Sequence, residues 1–283
     1  MPSGILLFTI CEEMVVRSAT ANPSWTLRID SAPGFRVGFA SLGFASGGVQ
    51  SMRKILLGSL LLLSLACTCA ACVFWAMGKP SLWGFQISAY EKADRVNPPK
   101  AGVIVFTGSS SIRFWETLAN DMKPLEVINR GFGGSQIADV NEYASRIIIP
   151  YRPRAVVLYA GDNDLSWPWS KTPERVFRDF KQFVEIIHAQ LPETWIYYIS
   201  IKPSILRWSN WEKLKKTNEL IAGYISTQPR AQFIDIDGPM LDTQGKPRAE
   251  LFRWDGLHLN AKGYALWTSI IKPVLLSRFE GTN

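Results

Sequence analysis

The sequence AGVIVFTGSSSIRFW (residues 101–115) joins a run of strand-forming residues to three consecutive serines. The segment VIVFT (103–107) is typical of a buried strand, and Gly108 permits a tight turn after it. The serines then stand where a helix would begin. Serine is a common helix cap, but a hydroxyl beside the positive end of a helix also suits a nucleophile. The stretch predicts a strand, a turn and a helix, with one serine as a candidate nucleophile.

Four further runs of strand formers follow along the chain. Segments with helical spacing lie between them, most clearly residues 173–191, where the apolar side chains form one stripe. A final helix is predicted after the last run, at residues 261–278. Alternating strands and helices predict an α/β domain with a parallel sheet covered on both faces. The five predicted strands are VIVFT (103–107), LEVIN (125–129), AVVLYA (155–160), WIYYISI (195–201) and QFIDI (232–236).

Polar motifs stand just after several of these runs. GSSS follows the first run, RGFGGS the second and GDND the third, and WDGLHLN precedes the final helix. Ligands of open parallel sheets bind beyond the carboxyl ends of the strands. The four motifs are therefore expected to meet at one edge of the sheet.

The chain has two histidines, and only His258 stands in one of these motifs. Asp255 precedes it by three residues, so the carboxylate can accept the Nδ1 proton and leave Nε2 free to take a proton from a hydroxyl. The alternative is an Asx turn with a histidine facing solvent. His188 lies beside the apolar stripe of 173–191 and is interpreted as an ordinary residue at the surface edge.

Acyl transfer also needs hydrogen-bond donors for the oxyanion. The glycines of GFGGS offer backbone N–H groups, and Asn163 of GDND offers a side-chain amide. Each feature has a plain structural alternative, a turn for the glycines and a cap for the asparagine. Together they supply all the groups that a serine hydrolase needs.

The order of these blocks over residues 100–278 resembles the SGNH (GDSL-type) hydrolases, and NRGFGG looks closest to the platelet-activating-factor acetylhydrolase-like branch. The resemblance implies a flavodoxin-like three-layer sandwich with a five-stranded parallel sheet, and ester hydrolysis of the esterase, lipase or O-deacetylase type without a cofactor or metal. Ser109 stands where that family usually has aspartate. Matching the blocks makes Ser110, Asp255 and His258 the catalytic residues and assigns the oxyanion hole to Ser110, Gly134 and Asn163.

Two other functions are compatible with parts of the pattern. A metallophosphoesterase also uses Asp, Asn and His at strand ends, but its two-metal site typically needs several histidines. A non-catalytic module that binds glycan or lipid is the second alternative, because tryptophans flank the motifs. Trp167 and Trp254 are the candidate substrate-binding residues.

Composition limits the partners of the domain. The four cysteines lie at positions 11, 67, 69 and 72, before the predicted domain, which excludes a disulfide framework or a zinc–cysteine site there. The net charge of +7 is moderate, and the sequence contains no recognised nucleic-acid module. No nucleic-acid partner is therefore expected. A small-molecule, lipid or glycan ester is the expected substrate, and the oligomeric state is left open.

The N-terminal third has a different organisation. Residues 55–77 carry no charge, follow Arg53 and Lys54, and are long enough to span a bilayer. We interpret 52–78 as a signal anchor or a signal peptide, with lipoprotein processing at Cys67 as a further alternative. An exported domain, anchored in the membrane or secreted, is therefore expected. The leader 1–51 is either a disordered tail or the product of a translation start assigned too early. Residues 79–100 are expected to be a tether, and residues 101–280 are expected to form the hydrolase domain.

Overall fold

The computed structural model describes residues 55–61, 64, 67–68, 80–166 and 170–279. The chain divides into two compact units, Met1–Leu61 and Leu62–Asn283, and the elements numbered below belong to the second. Residues 55–61, 64, 67 and 68 are helical. Within the described residues, no helix combines the length and the apolar character needed to cross a membrane. The predicted span 55–77 and the leader 1–51 lie largely or wholly outside those residues.

The predicted five-stranded parallel sheet is confirmed, in the order β2-β1-β3-β4-β5. Every residue of β1 and β3 is buried, as expected for parallel strands covered on both faces. From β1 the chain adds β2 on one side of the sheet and then β3, β4 and β5 on the other, so the strand order reverses between β1 and β3. Ligands of such sheets usually bind in the crevice at this point. The strands are β1 (Ile104–Gly108), β2 (Val127–Gly131), β3 (Ala155–Tyr159), β4 (Trp195–Ile199) and β5 (Ala231–Ile234).

Helices cover both faces of the sheet and give three layers. Helices α1, α4, α5 and α6 contribute to one apolar core, and α2, α3 and α7 to the other. The predicted helices 173–191 and 261–278 correspond to α5 and α7. The helices are α1 (Gly84–Val96), α2 (Ser110–Arg113), α3 (Leu118–Asp121), α4 (Ile137–Ile147), α5 (Pro173–Gln190), α6 (Trp211–Ile225) and α7 (Ala261–Phe279).

The segment 79–100, expected to be a tether, is instead largely helical and packs on the domain. Ile87 of α1 is fully buried in the core. Asp94 forms an ion pair with Arg130 of β2, and Tyr90 donates its hydroxyl to the Gly131 carbonyl. Helix α1 therefore belongs to the folded domain, because its apolar residue and its charges both find partners on β2 and the neighbouring helices. Because polar residues are spaced along α1, this single buried position cannot be recognised from the sequence.

Candidate active site

Ser110, His258 and Asp255 form a hydrogen-bonded chain at the carboxyl edge of the sheet. Ser110 is the first residue of α2, directly after β1, and the two others lie in the loop before α7. His258 Nε2 lies 2.9 Å from Ser110 Oγ, and His258 Nδ1 lies 2.6 Å from Asp255 Oδ2. A proton on Nδ1 directed at the carboxylate leaves Nε2 as the acceptor for the serine hydroxyl. The geometry is that of a nucleophile, a general base and the group that orients the base.

The loop holds Asp255 in its ionised form. Its Oδ1 atom accepts the backbone N–H groups of Leu257 and His258, both at 2.9 Å. Burial alone would raise the pKa of Asp255, but the hydrogen bonds from the His258 ring and from these two N–H groups lower it to about 2. The carboxylate therefore carries its charge throughout the neutral pH range and stabilises an imidazolium beside it.

The turn that presents Ser110 requires glycine at position 108. Gly108 has φ of 122°, and a Cβ atom built there would lie 1.9 Å from the carbonyl oxygen of Tyr159. The Gly108 carbonyl also accepts the N–H of Phe132 at 2.9 Å, which ties the turn to the loop after β2. The close approach of β1 and β3 thus fixes where the helix α2 begins.

The three serines occupy different environments, and only the middle one reaches the histidine. Ser109 is fully buried, and its Oγ has no hydrogen-bond partner among the described residues. It occupies the cap position of α2, but its side chain makes no capping bond. Ser111 Oγ accepts a hydrogen bond from Lys202 Nζ at 3.0 Å. Ser109 therefore does not perform the capping role that is common for serine.

The candidate oxyanion donors lie on neighbouring loops. Asn163, after β3, donates from Nδ2 to the Ser135 carbonyl at 2.9 Å and accepts from Arg207 Nη2 at its Oδ1, at 2.8 Å. A carbonyl only accepts and a guanidinium only donates, so these partners fix the orientation of the amide. One Nδ2 hydrogen is left for another acceptor. Gly134, which precedes Ser135, has φ of 78°, a conformation that glycine adopts without strain.

A buried charge network below this site was not predicted from the sequence. Lys202, which follows β4, is almost fully buried and contacts Ser111, the Tyr159 hydroxyl at 3.0 Å and Asp162 Oδ2 at 3.3 Å. Arg207 Nη1 lies 3.0 Å from the same Asp162 oxygen. Burial lowers the pKa of the Lys202 ammonium although Asp162 opposes the shift. The network connects the loops after β1, β3 and β4.

The sequence carries only a weak signal for this network. Lys202 and Arg207 follow an apolar run within IKPSILR, and basic residues after a strand are usually solvated. Asp162 lies in GDND and is one of the strand-end aspartates that the metallophosphoesterase alternative would use as metal ligands. The position of Asp162 after β3 predicts the edge of the sheet at which it lies. Its partners Lys202 and Arg207 can be identified only once the fold is known.

Aromatic side chains surround the histidine unevenly. The Phe114 ring packs edge-on against the His258 ring, with centroids 5.0 Å apart. Trp254, a predicted substrate-binding residue, is 98% exposed beside Asp255. Trp167, the other one, lies outside the described residues. His188, as expected, is half-buried, and its Nε2 lies 3.1 Å from the Thr194 carbonyl.

The described part of the chain contains no group of three or more His, Cys, Asp or Glu side chains arranged to hold a metal ion. Asp162 is paired with Lys202 and Arg207. Asp237 accepts hydrogen bonds from Ser200 and Asn218. Burial raises the pKa of Asp237 to about 6, and the neighbouring charge of Asp235 adds to the shift.

Comparison with known proteins identifies a family and relatives that this chain resembles in sequence and fold. Residues 99–266 match the model of the GDSL-like Lipase/Acylhydrolase family. The alpha1 subunit of platelet-activating factor acetylhydrolase IB from Pongo abelii is 27% identical over 185 residues, which cover 61% of this chain and 75% of that protein.

Two solved structures show the same fold. A GDSL-like lipase from Bacteroides thetaiotaomicron has a TM-score of 0.60 at 19% identity, covering 68% of this chain and 97% of its own. A carbohydrate esterase of family 3 from Talaromyces cellulolyticus has a TM-score of 0.52 at 17% identity, covering 64% and 100%. The family match spans more than half of the chain, and with the acetylhydrolase relatives it shows that this protein belongs to the GDSL-like lipase/acylhydrolase family and is an ester hydrolase.

Proposed function

We propose that the protein hydrolyses carboxylic esters through an acyl-enzyme on Ser110. The observation that carries the proposal is the continuous chain of hydrogen bonds from Ser110 Oγ through the His258 ring to Asp255, at 2.9 and 2.6 Å. In the first step His258 Nε2 takes the hydroxyl proton as Oγ attacks the ester carbonyl carbon. The carbonyl oxygen becomes an oxyanion, and the backbone N–H groups of Ser110 and Gly134 and the Asn163 amide stabilise it.

The tetrahedral intermediate then releases the alcohol. The bond between the carbonyl carbon and the alcohol oxygen breaks, and His258 returns its proton to that oxygen. In the second step His258 takes a proton from water, the resulting hydroxide attacks the acyl carbon, and the bond to Oγ breaks with return of the proton to Ser110. Asp255 stabilises the imidazolium in both steps and keeps its own charge.

The substrate is a small-molecule, lipid or glycan ester. An acetylhydrolase among the relatives supports testing the acetyl group first. We also propose that the domain is exported, with residues 55–77 as its membrane anchor, because that run lacks charged residues and follows Arg53 and Lys54.

A series of p-nitrophenyl esters tests the proposal. We expect the full-length protein to hydrolyse acetate, butyrate or palmitate, and Ser110→Ala to abolish turnover while the thermal unfolding midpoint changes little. Ser109→Ala is the matched control because Ser109 is buried without a hydrogen-bond partner. Activity that survives in Ser110→Ala but is lost in Ser109→Ala would contradict the assignment of the nucleophile.

A further inference from the structure

From residue 82 onward, the exposed large apolar side chains of the described residues lie mainly around the candidate active site. Between residues 82 and 279, leaving out 167–169, six large hydrophobic residues are exposed. Five of them lie at the carboxyl edge of the sheet and are called the apolar rim. The sixth, Val96, lies at the other end of α1. The apolar rim consists of Leu82 (43% exposed), Phe85 (89%), Ile205 (46%), Leu206 (61%) and Trp254 (98%).

Three of the five border the loop that carries the catalytic carboxylate and histidine. Trp254 immediately precedes Asp255. The N–H of Leu206 donates to the Gly256 carbonyl at 3.0 Å, which holds the loop after β4 against the loop before α7. A Cβ atom built on Gly256 would lie 3.0 Å from Ile205 Cβ, so Ile205 also contacts this loop.

The two others lie within two residues of Trp83, whose ring is beside the candidate oxyanion donor Gly134. Leu82 and Phe85 flank Trp83, whose ring lies 3.1 Å from a Cβ atom built on Gly134. From there α1 passes the end of β2, where Tyr90 donates to the Gly131 carbonyl, and its last turn lies in one groove with Val127 at the start of β2. The apolar rim therefore borders the loop after β2 as well as the loop before α7, whereas Val96 stands between Asp94 and Asn97, near the start of β2.

Two arginines add positive charge to the same surface. The guanidinium groups of Arg113 and Arg253 lie 5.6 and 5.2 Å from the centre of the Phe114 ring, which itself contacts His258. Both side chains are exposed, and neither forms an ion pair with a carboxylate in the part of the chain that the structure describes. Cations beside exposed apolar side chains are typical of surfaces that bind lipid headgroups.

We propose that the apolar rim docks onto a lipid bilayer, so that Ser110 takes its ester from the membrane surface. The proposal rests on the ester hydrolysis proposed above and adds where the substrate resides. The chain before the domain points to this occupant rather than to another protein. The uncharged run ends at Met77, and the three steps to Pro80 span at most about 10 Å. Since Pro80 begins the turn that contains Leu82 and Trp83, an anchor in 55–77 would hold the rim at the bilayer.

Lipid quenching tests docking without using activity. The full-length protein is reconstituted in vesicles of phosphatidylcholine and phosphatidylglycerol whose acyl chains are brominated, and tryptophan emission is compared with that in unbrominated vesicles. We expect the wild-type protein to lose more emission than Trp254→Phe, because Trp254 enters the acyl region. Equal quenching of the two proteins would overturn the proposal.

Kinetics give a second, separate test. Two acetate esters are compared, soluble p-nitrophenyl acetate and the acetate of a fluorogenic alcohol with a long alkyl chain that resides in the vesicle. Removing two inserted apolar side chains in Phe85→Ser/Leu206→Ser should lower the ratio of membrane to soluble hydrolysis about tenfold or more. Val96→Ser, an equally exposed apolar position near the start of β2, is the matched control and should leave the ratio unchanged.

The outcomes separate the two proposals. An unchanged ratio in the double variant, or an equal fall in Val96→Ser, would contradict docking by the apolar rim while leaving ester hydrolysis intact. Failure of the wild-type protein to hydrolyse the soluble ester would instead contradict the proposed function, and the quenching result would still decide whether the rim meets the bilayer.

Discussion

Replacing Arg207 by glutamine should weaken catalysis through Asn163. Arg207 Nη2 donates to Asn163 Oδ1 at 2.8 Å, while the Ser135 carbonyl accepts one of the two Nδ2 hydrogens at 2.9 Å. Held from both ends, the amide keeps its second Nδ2 hydrogen available for the oxyanion. A neutral glutamine lacks the charge and the length of arginine, so the amide would be held from one end only.

The size of the effect follows from two limits. A hydrogen bond to a charged group contributes about 1.5–3 kcal/mol, which corresponds to a factor of roughly ten to a hundred. Removal of a whole oxyanion donor costs about 10²–10³ in kcat. Arg207→Gln should therefore lower kcat at least about tenfold, without exceeding the loss in Asn163→Ala. The fall should appear in kcat more than in KM, because the oxyanion exists only in the transition state and intermediate.

A double-mutant cycle on p-nitrophenyl acetate measures this coupling. In the Asn163→Ala background, Arg207→Gln should add less than about a threefold loss, since the amide it orients is already absent. Thermal unfolding of each variant separates a loss of stability from a loss of catalysis, because Asp162 also loses a partner when Arg207 is replaced. A kcat for Arg207→Gln within twofold of wild type, or losses that multiply in full, would refute the positioning role of Arg207.

Three further substitutions test other parts of the account. Asp255→Asn should lower kcat by about 10³–10⁴, because the imidazolium loses its carboxylate; stopped assays at neutral pH measure this. The pKa of about 2 for Asp255 lies below the usual value for an unfolded chain, so its contribution to stability is present above about pH 4 and is lost as the pH falls towards 2. Acid unfolding of wild type should therefore show a component that Asp255→Asn lacks, and identical acid profiles would contradict this. Gly108→Ala should lower the free energy of unfolding by more than about 2 kcal/mol, since its Cβ atom would meet the Tyr159 carbonyl oxygen at 1.9 Å; denaturant titration checks it, and a neutral result would show that the turn relaxes. Ser109→Ala should change stability by less than about 0.5 kcal/mol, because Ser109 Oγ has no hydrogen bond to lose within the described residues; a larger loss in the same titration would contradict this.

The strands and the two long helices could be predicted because their patterns are local. The run VIVFT is a continuous stretch of strand formers and the stripe of 173–191 has helical periodicity, and both elements were found within one or two residues of the predicted bounds. Helix α1 was not predicted because only Ile87 is fully buried on it. Its stability comes from distant partners such as Arg130, which a reading of neighbouring residues does not reveal.

The site divides in the same way. The carboxyl ends of parallel strands share one edge, which predicts that the motifs meet there, and the family resemblance selects Ser110 and His258 within them. The network of Lys202 and Arg207 depends on side chains that cross between loops, and the charges look solvated in the sequence. Ser109, which stands where the family resemblance implies an aspartate, is fully buried and has no hydrogen-bond partner for its Oγ among the described residues.

Labelling by a fluorophosphonate tests the central proposal most directly. The reagent is attacked by an activated serine and remains bound to its Oγ, so peptide mass spectrometry of the full-length protein locates the nucleophile. The account predicts one adduct, on Ser110, that is absent in Ser110→Ala and much slower to form in His258→Ala, while Ser109→Ala is labelled like wild type. An adduct on Ser109 or Ser111, or none on folded protein that hydrolyses esters, would contradict it.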